Sequence, residues 1–87
     1  MIEDLSQLRE SIDVLDNEIL KALAQRMKLS DQVITAKNGV AAFRPGREAV
    51  LVRQLVAKGK ADGLDIGPEV ILCVWRQIMA ASLSRQD

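Results

Sequence analysis

The chain has 87 residues, enough for one domain, and its twelve Lys and Arg balance twelve Asp and Glu, which leaves no basic surplus for nucleic acid or an anionic membrane. One cysteine, Cys73, and no histidine exclude an internal disulfide and a Cys/His zinc site. Without histidine no side chain has an unperturbed pKa near 7 for general acid–base work, so an enzyme built this way would favour electrostatics and positioning.

The N-terminus, Met1-Ile2-Glu3-Asp4-Leu5-Ser6, has no basic stretch followed by an apolar one, and no run approaches the roughly 20 apolar residues of a membrane span. The lone thiol suits a reducing compartment, and the expectation is a cytoplasmic, unprocessed chain. Its first element is read from Leu5, Leu8, Ile12, Leu15, Ile19, Ala22, Leu29, Val33 and Ala36, a three–four spacing without glycine or proline. That pattern predicts one long amphipathic helix over about 4–37. Asn38-Gly39 ends it, and Arg44-Pro45 starts a second helix over about 45–58 with Leu51, Val52, Leu55 and Val56 as its stripe. Gly59 to Gly67 reads as the exit from that helix and a loop. Pro68 opens a third helix, striped by Ile71, Val74, Trp75, Ile78 and Met79, that runs to about residue 86. Cys73 and Trp75 are assigned to packing.

The fold class is therefore all-α, and length decides the assembly. A helix from Leu5 to Ala36 is about 48 Å long, whereas a compact chain of this size has a radius of gyration of about 12 Å. Either that helix breaks in two or a second copy covers its stripe, and the lack of a breaker favours an intertwined helical homodimer.

Several polar residues stand where apolar ones are expected. Arg26 follows Ala22 in the first stripe, and Lys37 lies about 20° from it around the helix and about 16 Å along it. Two cations on one face either hold a small dianion or reach out to solvent from the edge of a dimer; spacing leaves both open. Arg9 is about 25 Å from Arg26 along the axis. It reaches the same ligand only from a partner in an antiparallel pairing, or else it is a solvated charge. Arg44, Arg47 and Glu48 gather at the start of the second helix, where free N–H groups favour anions and where a glutamate is also an ordinary first-turn residue. On the third helix the apolar line continues into Ser82 and Gln86, which either meet a polar ligand or fray into water.

Taken in order, Leu8-Arg9-Glu10-Ser11-Ile12-Asp13 with Leu15-Asp16, Leu23-Ala24-Gln25-Arg26, Ala36-Lys37, Arg47-Glu48-Ala49, Gly59-Lys60-Ala61 and Ser82-Leu83-Ser84-Arg85-Gln86 resemble the all-helical chorismate mutases, including the domain fused to prephenate dehydratase. The likeness covers nearly the whole chain and rests on the order and spacing of the pieces. It implies a three-helix chain entwined as a homodimer with two shared sites, and the pericyclic rearrangement of chorismate to prephenate in aromatic amino acid biosynthesis. That reaction takes a small dicarboxylate and needs no metal or cofactor. Carried over from the resemblance, Arg26 and the partner's Arg9 clamp the two carboxylates, with Ser82 and Arg47 assisting. Lys37 and Gln86 donate to the ether oxygen on which negative charge grows, and Glu48 accepts from the ring hydroxyl. One departure is Arg44, which stands near the place where some members have an aspartate that helps bind that hydroxyl. A guanidinium cannot accept a hydrogen bond, so a backbone group takes over or Arg44 points to solvent.

Two other readings are consistent with the residues. A relative that splits isochorismate, or that rearranges an amino analogue of chorismate, would show the same charge clamps. A non-catalytic helical dimerisation module would treat the cations as surface charge.

Overall fold

A computed structural model of the chain describes residues 4–36 and 46–84, the side chains of 83 and 84 excepted. Lys37, Arg44 and Gln86, three of the expected site residues, lie outside the described residues. Three helices are present, α1 (Leu5–Ala36), α2 (Arg47–Ala61) and α3 (Pro68–Ser84), and no strand occurs among the described residues.

α1 opens on a capping box that the apolar spacing alone does not reveal. Asp4 Oδ1 accepts from the Gln7 backbone N–H at 2.8 Å, and Gln7 Oε1 accepts from the Asp4 N–H at 3.2 Å. Two otherwise orphaned donors are satisfied reciprocally. The helix then runs 32 residues without a break.

α2 begins at Arg47, after Gly46 in the left-handed region at φ 85°, and ends at Ala61, three residues beyond the sequence expectation. The reason is that Gly59 belongs to the helix and is not its exit. It is buried, with Ile66 Cγ2 3.8 Å from where a Cβ would stand, so the returning loop lies close over it. The helix stops at Gly63, whose φ of 68° suits glycine. Gly63 N–H donates to Lys60 O at 3.2 Å and Leu64 N–H to Gly59 O at 2.9 Å, the paired bonds of a Schellman cap. A Lys58–Asp62 ion pair at 2.8 Å reinforces the end. Pro68 then starts α3 at a position where its missing N–H costs nothing, and Gly67 O receives the N–H groups of Val70 and Ile71.

Packing is centred on α3. It lies against α2 and also touches α1, whereas α1 and α2 do not pack on each other among the described residues. Ile71 at 4% exposure is the one buried hydrophobic residue among those described, with Trp75, Ile78 and Met79 half-buried beyond it. Two expectations for α3 are corrected here. Cys73 is exposed rather than packed, and Val74 is 44% exposed. At 100° per residue Cys73 lies about 200° around the helix from Ile71, on the far side from α2.

α1 contributes no buried residue at all. Leu5, Leu8, Ile12, Leu15 and Ile19 are each 47–61% exposed, and the radius of gyration is 16.2 Å with a longest dimension of 55 Å. A compact chain of this length would be near 12 Å. The long helix protrudes, and its apolar stripe faces solvent in the single chain.

Candidate functional site

Arg26 and Ser82, 56 residues apart in the chain, meet where α1 crosses α3. Arg26 Nη1 donates to Ser82 Oγ at 3.4 Å, and both residues are half-buried. Ser82 Oγ donates its one proton to Ile78 O at 3.0 Å, which leaves its lone pairs to the guanidinium. Met27 Sδ lies 3.6 Å from the same hydroxyl oxygen and closes the other side. The apolar stripe of α1 thus turns a cation toward α3 at Arg26, and α3 answers with a hydroxyl where its own stripe would otherwise continue. A half-buried guanidinium whose one partner among the described residues is neutral keeps donors to spare for an anion.

Glu48 lies on the face that α2 turns inward, one turn before Leu51 and Val52. Arg76 of α3 reaches it, with Nε donating to Oε1 at 3.2 Å. Arg76 precedes Ser82 by six residues, about 9 Å along α3 and about 120° around it. Glu48 is therefore not joined to the Arg26–Ser82 contact; the two sit on adjoining faces of α3. Arg47 is exposed at the first position of α2, and Arg9 is exposed on α1 with no partner among the described residues. Sequence reasoning did not single out Arg76 or Met27. Met27 adjoins Arg26 and was within reach of that argument, whereas Arg76 finds its partner 28 residues away, which no local pattern reports. No cluster of acidic or sulfur ligands fit for a metal ion occurs among the described residues, and none of the described helices is long and apolar enough to cross a membrane.

The chain matches the family model described as chorismate mutase type II over residues 8–87. The chain belongs to the type II chorismate mutase family. Among curated proteins, this member is 37% identical over 67 residues to the chorismate mutase of Methanocaldococcus jannaschii, covering 71% of this chain and 68% of that one. It is 31% identical to the bifunctional chorismate mutase/prephenate dehydratase of Aquifex aeolicus, covering 95% of this chain and 24% of the other. It is 29% identical to the T-protein of Enterobacter agglomerans over its whole length, which is 23% of that protein. The chain thus spans about a quarter of the longer relatives. No solved structure matches it significantly.

Proposed function

We propose that the chain is a chorismate mutase, rearranging chorismate to prephenate with no covalent intermediate and no proton transfer. The observation that carries this reading is the Arg26–Ser82 contact between α1 and α3 in a chain of this family. A guanidinium fixed by a hydroxyl forms one end of a clamp for a carboxylate. Holding a flexible dicarboxylate in its compact conformer supplies proximity, and cationic and amide donors at the ether oxygen stabilise the charge that grows as its bond breaks. In this reading Arg26 takes one carboxylate with Ser82 orienting it, Arg47 assists, and Lys37 and Gln86 serve the ether oxygen. Glu48 accepts from the ring hydroxyl. Two relatives carry the activity in their names, which favours this reaction over isochorismate cleavage.

The working form in this proposal is an antiparallel homodimer in which Arg9 completes the partner's site. The exposed stripe of α1 supports it, and so does the charge along that helix. Leu5–Leu20 holds Glu10, Asp13, Asp16 and Glu18 against Arg9, whereas Lys21–Ala36 holds Lys21, Arg26 and Lys28 against Asp31. Antiparallel pairing sets the acidic half of one helix against the basic half of the other. A cytosolic setting suits the exposed free Cys73. Adding purified protein to chorismate and identifying the product tests the reaction. Loss of chorismate absorbance with formation of prephenate is expected; survival of chorismate would overturn the reading.

A further inference from the structure

Glu48 heads the inward face of α2. Leu51, Val52, Leu55 and Val56 follow it at helical spacing, all half-buried, and Gly59 completes the face. A carboxylate in that line is aimed at α3, and Arg76 is the group that meets it. The contact commits one oxygen only: Arg76 Nε donates to Oε1, and no donor reaches Oε2 among the described residues. The Glu48–Arg76 contact and the Arg26–Ser82 contact are offset by about 9 Å along α3 and about 120° around it.

We propose that Arg76 is a positioning residue for Glu48: by holding Oε1 it presents Oε2 as the acceptor for the substrate's ring hydroxyl, and so sets affinity for the hydroxylated ring. This rests on the chorismate reading above. Arg76 is exposed, with 63% of its side chain open to solvent, so the ion pair adds little to the packing of α2 on α3. Its effect is on where the carboxylate points, because the guanidinium engages Oε1 through Nε. The hydroxyl takes no part in bond making or breaking, so its hydrogen bond is present in ground and transition states alike, and its loss falls on KM.

The test compares the full chain with Arg76→Gln, Arg76→Lys, Glu48→Gln and the Glu48→Gln/Arg76→Gln double variant. Arg76→Gln is expected to raise KM for chorismate about tenfold with kcat held within about threefold, and Arg76→Lys to recover part of the loss. In the Glu48→Gln background the second change should add nothing, because Arg76 acts through that carboxylate. A chorismate analogue without the ring hydroxyl should inhibit the wild type and Arg76→Gln equally. An unchanged KM, a loss that persists with the analogue or without Glu48, or a fall in kcat accompanied by a large drop in melting temperature would each overturn the role of Arg76 while leaving the reaction standing. A wild-type chain that does not convert chorismate overturns both together.

Discussion

At the scale of single residues, the sharpest feature is a cation in an apolar line. Arg26 occupies the stripe position that follows Ala22 on α1, and the structure gives it a neutral oxygen, Ser82 Oγ, as partner. Such a pair contributes less to stability than a fully bonded ion pair and leaves donors for the anion that Arg26 is proposed to bind. Arg26→Ala should lower kcat/KM by about 10²–10³-fold, the size expected for losing a preorganised charge, while circular dichroism and the oligomeric state stay unchanged. Steady-state kinetics and sedimentation on the same preparation check both halves of that statement. The helical spacing that marks Arg26 and Ser82 as out of place is visible in the sequence. That they meet is not, because 56 residues separate them and three-dimensional packing alone brings them together. The same holds for Glu48 and Arg76, of which only the first draws notice in the chain.

At the scale of elements, glycine chemistry decides where α2 ends. Gly59 and Gly63 look alike in the stretch from Gly59 to Gly67, yet they do opposite work. Gly59 has helical geometry with ordinary space for a methyl group, Ile66 Cγ2 being 3.8 Å from its Cβ site, whereas Gly63 is at φ 68°. Gly59→Ala should therefore stabilise the protein by about 0.5–1 kcal/mol through helix propensity. Gly63→Ala should destabilise it by about 1–2 kcal/mol through left-handed strain at the cap. Urea denaturation at one fixed protein concentration, since any assembly shifts the midpoint, separates the two signs. The helices themselves follow from the three–four periodicity, from Asp4 and Gln7 at the first start and from Pro68 at the third. Local pattern misplaced the boundary of α2, because a glycine inside a helix under a close loop and a glycine at a cap have the same letter and differ only in dihedral angle and neighbours.

At the scale of the whole molecule, the single chain leaves its longest helix without a covering partner. Leu8, Ile12 and Leu15 are about half exposed, and the core is reduced to the α2–α3 contact around Ile71. Ile12→Asp places a charge in the middle of that stripe, where the proposed partner helix would desolvate it. It should convert the proposed dimer to a monomer at micromolar concentration with loss of helicity, read by analytical ultracentrifugation and circular dichroism. The proposed shared site carries its own test. Arg9→Ala and Arg26→Ala chains, each inactive alone, should regain about a quarter of wild-type activity after subunit exchange at equal amounts, because half the dimers are mixed and one of their two sites keeps both arginines. No recovery after confirmed exchange would break the link between Arg9 and the partner's site. The sequence by itself determined the helical class, the long unbroken first helix and the mismatch between its length and a compact globule, since periodicity and the rise per residue are local properties of the chain. Only the tertiary structure decided that α3 is the element both others touch, that Arg26 finds Ser82, and that Glu48 is held by Arg76. Those contacts depend on how helices are rotated against one another, and rotation is set by the packing of side chains distant in sequence rather than by any stretch that can be read in isolation.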